Sequence, residues 1–364
     1  MFVDHCHAVA ERYHLGSDIL RHETAQEIDY GVVRGVSVDD EKLFTVTTNS
    51  TRRYAKTVVL AVGPGNAPKI PEIPSMPSTR PLPQACHSMH IERYPDPVLQ
   101  SKIDAGRTTN VLIVGGGLTS AQLADLAVRH GVTKTWLIMR GPLRIKHFDV
   151  SLEWMGKWKV AEQSRFWLAD SDEEKMAIVK EAREGGSVTG VYHKKIKEHR
   201  KRGCLEWREE TRLVDARFEG TEGNGSWIVQ TEPPIDNLPA FDHICFATGV
   251  QTDFSTLPYL QTMIDKYPVK SVGGFPCVTE SLMWRDDVPL FLAGRLAMTQ
   301  LGPAAPNIGG ARLGAERIAW AIQDTVKPTG ADEWEEQEQG QEALNEYASG
   351  TGNMYNALSL IAVE

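Results

Sequence analysis

No stretch of this 364-residue chain approaches the roughly 20 consecutive apolar residues that a membrane-spanning helix needs, so no span is expected. The opening Met1-Phe2-Val3-Asp4-His5 meets an acid at its fourth residue and has no basic region ahead of an apolar run, which is not the pattern of a signal peptide. Cysteine is sparse: Cys6, Cys86, Cys204, Cys245 and Cys277 are odd in number, scattered, and never paired as C-x-x-C. That spacing points to a reduced, cytoplasmic compartment and offers neither a dithiol redox centre nor a zinc site. His87 and His90 have no carboxylate or Cys partner at metal spacing, so no metal is expected there either. Gly-x-Ser-x-Gly, H-E-x-x-H and kinase signatures are absent, which leaves a bound cofactor as the visible route to catalysis.

Charge of one sign is also missing locally. Residues 331 to 346 hold Asp332, Glu333, Glu335, Glu336, Glu338, Glu342 and Glu346 with no Lys or Arg, and account for most of the net charge of −9. The rest of the chain is nearly balanced and gives no electrostatic ground for binding nucleic acid or an anionic membrane. The basic run Lys194, Lys195, Lys197, Arg200, Lys201 and Arg202 is interrupted by Glu198 and carries no aromatic stacking platform, so it reads as a solvated helix face.

Against these absences stands Asn110-Val111-Leu112-Ile113-Val114-Gly115-Gly116-Gly117-Leu118-Thr119-Ser120, a buried strand running through a glycine-rich turn into a helix. Gly115, Gly117 and Ser120 occupy the special positions of a G-x-G-x-x-G-type loop, with a small residue last. The first permits a tight turn, the second lets backbone approach a pyrophosphate, and the third lets helix pack on strand. The anion would rest on free N–H groups at the helix start, with the Thr119 hydroxyl as a further donor. Where the second strand of such a unit ends, an acid would accept from the 2′-hydroxyl of NAD. This chain has Arg140, followed by Arg144 and Lys146, which favours a 2′-phosphate and hence NADPH.

Two further apolar strands end in glycine: Val58-Val59-Leu60-Ala61-Val62-Gly63 before the loop and Ile244-Cys245-Phe246-Ala247-Thr248-Gly249 after it. Two closing strands with one opening loop predict an α/β, Rossmann-like FAD/NAD(P)-binding fold of two nucleotide-binding domains, the first incomplete. Imposing the interval between Gly115 and Gly249 on Gly63 places the absent loop upstream of Met1. With 41% hydrophobic residues the chain has enough apolar content for two such cores.

The domain reading is therefore as follows. Residues 1–100 form the remainder of an FAD-type domain and a crossover stiffened by seven prolines between 64 and 83. Residues 101–254 are the NADPH-binding unit with a helical insertion, where Ser171 and Glu174 form a capping box and Gly185-Gly186 a stop. Asn224-Gly225 reads as a hairpin turn. Residues 255–326 return to complete the first domain through Leu290-Phe291-Leu292-Ala293 and a helix from about Asn307. Residues 327–364 are an acidic, loosely docked tail. Strands are expected at 18–30 and 43–47, and Trp154 and Trp158 are read as core or lid contacts. Asn307 and Ile308 open the last helix, where free N–H groups suit an electron-rich flavin carbonyl.

In this order the motifs resemble the flavoproteins with two dinucleotide-binding domains, and within them the FAD- and NADPH-dependent single-component monooxygenases of N-hydroxylating and flavin-containing type. The resemblance rests on Ala61-Val62-Gly63 with Pro68 and Pro71, on Gly115-x-Gly117-x-Thr119-Ser120, on Ala247-Thr248-Gly249, and on Leu292-Ala293-Gly294 before the final helix. It implies FAD on the first domain, NADPH on the second, and oxygenation of a small organic substrate, with Gly63, Gly249, Gly294, Asn307 and Ile308 around the cofactors. The chain departs from the pattern where the FAD loop and its ribose-binding acid should stand. The F-x-G-x-x-x-H-x-x-x-W fingerprint is missing, only His87-Ser88 falling near its place, and Gly294-Arg295 replaces the usual Gly-Asp. A homo-oligomer or a partner chain supplying the FAD segment stays open. So do a non-catalytic NADP(H)-binding or scaffold protein and a flavin-free NADPH reductase.

Overall fold

The structure, a computed structural model, describes residues 2–16, 19–63, 68–77, 81–251 and 253–326. The acidic segment and Pro64 of the crossover lie outside the described residues. Met1–Ala315 make one compact unit, and beyond it the last helix is described to Val326. Among the described residues no helix is long and apolar enough to cross a membrane.

The apolar run of the central segment becomes the middle of a five-stranded sheet. Its strands are β1 (Ala85–His87), β2 (Asn110–Val114), β3 (Lys134–Ile138), β4 (Leu205–Arg208) and β5 (His243–Phe246), in the order β1-β5-β2-β3-β4. All four pairings are parallel, and His87, Phe246, Val114, Ile138 and Arg208 lie in one row, so the strands finish level. A parallel sheet must be covered on both faces, which is why Val111 to Val114 are apolar without alternation and all buried.

Four helices matter here: α1 (Leu118–Arg129), α2 (Asp172–Arg183), α3 (Gly190–Lys201) and α4 (Ile308–Val326). On one face of the sheet α1 buries Ala121, Leu123, Ala124 and Ala127 over Val111, Ile113, Leu137 and Cys245. On the other face the antiparallel hairpin Arg212–Glu219 with Ser226–Glu232 supplies Ala216, Trp227 and Val229 against Leu112, Ile138, Ile244 and Phe246.

A buried carboxylate pins α1 to α3. Asp125 accepts a hydrogen bond from Lys195 Nζ and stands against His199 Nε2, both at 2.9 Å. The basic run of α3 thus has an inward edge besides its solvated face. Burial pushes the Asp125 carboxyl up, but hydrogen bonds from His199 and Lys195 outweigh it and hold its pKa below the ordinary value. We expect Asp125→Ala, which strands the buried His199 ring nitrogen while Lys195 turns to solvent, to cost about 1–3 kcal/mol, read as a lower urea midpoint. Because the folded pKa lies below the unfolded one, the wild-type contribution is complete at neutral pH and is lost as pH falls through the folded pKa. An unchanged midpoint at neutral pH would show the cluster to be energetically silent.

The flanking segments build a second, smaller sheet. Val58–Leu60 pairs in parallel with Val288–Leu292, which pairs antiparallel with Met283–Arg285. Val58–Leu60 is one of its two edges, with Val59 45% and Val62 37% exposed. The crossover is laid against the end of the central sheet: Pro68 bridges Val250, Lys69 N–H donates to Gly249 O, and the Thr248 hydroxyl donates to Lys69 O.

Local expectations shift in four places. The strand expected over 18–30 forms over Ala25–Val32, paired with Lys42–Thr48. Asn224-Gly225 is not a two-residue turn, since six residues separate the hairpin strands and both N–H groups reach back to Thr221 O. Glu174 does not close the capping box on Ser171: it accepts from Asp170 N–H, while Ser171 Oγ accepts from Glu174 N–H. Glu184, with φ 46°, takes the left-handed cap ahead of Gly185.

Candidate functional site

Where β2 ends the chain must turn at once, because the backbone following β5 runs beside it. Gly115 does so at φ +148°, and a Cβ there would sit 2.3 Å from Ala247 O. Its N–H donates to Ile138 O at 2.9 Å. Only glycine satisfies both the dihedral and the contact. Gly117 caps α1 with extended backbone and no side-chain hydrogen bond, so the first N–H groups of α1 stay free at the positive end of the helix dipole. A Cβ on Gly117 would meet only Gly186 Cα, at 3.9 Å. Thr119 is exposed on the first turn, while Ser120 is buried and its Oγ donates to Gly117 O at 2.6 Å. Ser120 therefore braces the loop.

Arg140 lies two residues beyond β3, exposed, with no ion pair among the described residues. Its neighbours are engaged: Lys146 Nζ is 2.7 Å from Glu184 and Arg144 donates to Glu184 O. Of three cations in a row, the fold leaves Arg140 uncommitted at the strand end. Gly249, φ +82°, closes the same end of the sheet after β5. Gly115, Gly117, Thr119, Arg140 and Gly249 thus gather at the carboxyl ends of β2, β3 and β5, where open α/β sheets bind their ligands.

A second group forms at the small sheet. Leu60 and Leu292 are direct partners, so the loops at Gly63 (φ +66°) and Gly294 (φ +60°) leave from adjacent strand ends. A Cβ on Gly294 would lie 3.7 Å from Ala305 O, just before α4, and one on Gly310 would be 2.2 Å from Ala304 O. The helix start is seated on the Gly302–Ala304 turn by the absence of that side chain. Asn307 Nδ2 donates to Asp149 Oδ1, so its side chain is committed, and Ile308 is exposed. The free N–H groups of the first turn of α4 are what this group offers to an electron-rich partner.

Two features escape the sequence reading. Gly186, read as a helix stop, also packs on the loop: a Cβ there would be 3.2 Å from Gly117 Cα. Beside it lies a cavity of about 460 Å³ lined by Lys180, Arg183, Gly185, Phe275, Arg295 and Met298. It lies between α2 and the return segment. Arg183 donates to Pro303 O and pairs with Asp149, whereas the buried Nε of Arg295 has no partner among the described residues. Burial and the neighbouring Arg183 cation both disfavour charge on Arg295, so an anion there would relieve both. Trp154 packs in the core against Phe166, while Trp158 is exposed.

No protein-family model matches the chain. An uncharacterized CzcO-like oxidoreductase of Geobacillus kaustophilus is 35% identical over 85 residues, which span 23% of this chain and 21% of that relative. Among solved structures, the ornithine N-hydroxylase of Kutzneria sp. 744, with reduced FAD, NADP+ and L-ornithine, superposes with TM-score 0.60 at 16% identity, over 85% of this chain and 74% of that one. The FAD-bound cadaverine monooxygenase of Erwinia amylovora gives TM-score 0.59 at 13% identity, over 83% and 68%. The bacillithiol disulfide reductase of Bacillus cereus gives 0.53 at 15%, over 89% and 76%. The fold is therefore the Rossmann-like FAD/NAD(P)-binding fold of flavoproteins, one that carries both oxygenation and disulfide reduction.

Proposed function

We propose that this chain is an FAD- and NADPH-dependent oxidoreductase of monooxygenase type acting on a small organic substrate, with FAD binding weakened because its sequence holds a single glycine loop of the dinucleotide-binding type. The observation that carries the reading is the loop at Gly115. Gly115 is demanded by contact with Ala247 and by φ, the loop opens an uncapped helix, and an uncommitted Arg140 stands where a 2′-phosphate would lie. Those residues fit NADPH: loop backbone and α1 for the pyrophosphate, Thr119 as an added donor, Arg140 for the ribose phosphate. The strand ends at Gly63 and Gly294, with the start of α4, fit one side of a flavin. When bound, the pair of cofactors supplies hydride transfer and oxygen activation, which no side chain of this chain provides.

The chain's own part is positioning. Gly186 closes on the loop from the end of α2, and the Arg183 and Arg295 that line the adjoining cavity support a substrate with an anionic group. The two monooxygenases above and this chain share the fold, and the reading of the chemistry rests on that shared frame together with the loop.

The test is cofactor preference. NADPH is expected to bind at least about ten-fold more tightly than NADH, some 1.4 kcal/mol, and Arg140→Ala to erase most of the difference. Equal dissociation constants in the wild-type chain would remove the assignment of Arg140. A chain that binds neither nucleotide would remove the proposed function.

A further inference from the structure

Cys86 and Cys245 lie far apart in the chain, but the fold makes them direct partners on the parallel strands β1 and β5. His243 is two residues from Cys245 on the same strand, hence on the same face. The Cys86 and Cys245 sulfurs and a His243 ring nitrogen all lie within 4.8 Å of one another. Cys86 Sγ and His243 Nε2 are 3.6 Å apart. Across a tetrahedral zinc, with Zn–S of about 2.3 Å and Zn–N of about 2.05 Å, sulfur and nitrogen stand about 3.6 Å apart. The other ring nitrogen stands against a carboxylate, in ion-pair contact without an aligned hydrogen bond: His243 Nδ1 is 2.8 Å from Asp96 Oδ2, while Asp96 Oδ1 caps the helix Pro97–Asp104. A carboxylate behind a histidine, fixing its orientation and leaving Nε2 free for the metal, is the usual support of a zinc ligand. His243 and Cys245 are buried and Cys86 is partly exposed, which gives an approach from one side. The Tyr94 hydroxyl, buried and without a hydrogen-bond partner among the described residues, faces Cys245.

We propose that Cys86, His243 and Cys245 form a binding site for one zinc ion, with Asp96 orienting the histidine and a fourth position left for water or another donor. The site does not depend on the cofactor reading. Soft sulfur with imidazole is the donor set that selects zinc over magnesium or calcium. In the metal-free chain the cluster is polarised. A hydrogen bond from Cys245 outweighs burial and, helped by His243, lowers Cys86 to about 5; burial is likewise outweighed at His243, which Asp96 and Cys86 raise to about 9. Zinc would displace the proton on His243 Nε2 and the thiol proton of Cys245, both passing to solvent. The bound ion would join the edge strand β1 to its neighbour β5 and, through Asp96, to the Pro97 helix, and so fix the strand into which the crossover leads.

The experiment is anaerobic titration of the reduced full chain with Co(II), then with Zn(II). One cobalt per chain is expected, with a thiolate-to-cobalt charge-transfer band and intense tetrahedral d–d bands that zinc abolishes, and a raised thermal midpoint with zinc. Cys86→Ser and His243→Gln should each lose the charge-transfer band or strongly weaken it, while Cys204→Ser keeps it. Because Cys245 is fully buried, Cys86→Ser carries the decision, with circular dichroism confirming its fold. Absence of the band in wild type, or its persistence at full intensity in Cys86→Ser, overturns the site.

Discussion

Gly117→Val should weaken NADPH binding by at least about 100-fold, near 2.7 kcal/mol, and leave the fold intact, while Gly115→Ala should damage the fold itself. The difference follows from what each Cβ meets. At Gly117 the backbone is extended and the nearest atom to an added Cβ is 3.9 Å away, so neither dihedral nor Cβ contact demands glycine in the free chain. What a branched side chain would occupy is the space in which pyrophosphate must touch backbone. At Gly115 a Cβ meets Ala247 O at 2.3 Å, and φ is +148°. Unfavourable dihedrals of this kind cost about 1–3 kcal/mol, and β2 and the segment after β5 must also part. Calorimetric titration with circular dichroism separates the outcomes for Gly117→Val. Undiminished affinity in that variant would show that the loop is a turn and nothing more.

The second large effect concerns flavin. Val58–Leu60 is an edge of its sheet, with Val59 and Val62 partly exposed, and the glycine loop at Gly115 belongs to the other sheet. A doubly wound FAD domain places its first strand and glycine loop at the centre of its sheet. We therefore expect the 364-residue chain to bind FAD weakly, to keep NADPH binding, and to self-associate through the apolar edge. Joining a strand–turn–helix with a G-x-G-x-x-G loop ahead of it should restore stoichiometric FAD and NADPH oxidation. The measurements are the visible flavin bands, cofactor-dependent NADPH oxidation and sedimentation. A chain that purifies yellow with one FAD and turns over NADPH without that addition would overturn this expectation.

Much of the frame was legible because it rests on local chemistry. An unalternating apolar run followed by glycines and a small-residue helix face can hardly form anything but a buried parallel strand, a tight turn and a packed helix. β2 and α1 take those places. The two glycine-terminated strands were legible for the same reason. Turn details were less so. The span of the hairpin loop around Asn224-Gly225 depends on Gly225 packing against Phe218, where a Cβ would lie 2.4 Å from the ring, and no local propensity encodes that contact.

By itself, then, the sequence determined the periodicity, the glycines and the order of strands and helices, since each depends on neighbours along the chain. Tertiary structure alone decided which of Arg140, Arg144 and Lys146 stays uncommitted, because Glu184, contributed by another element, engages the latter two. It decided that Gly186 packs against the loop at Gly117. It also decided that two cysteines far apart in sequence meet a histidine, since parallel strands acquire their partners only when the sheet assembles.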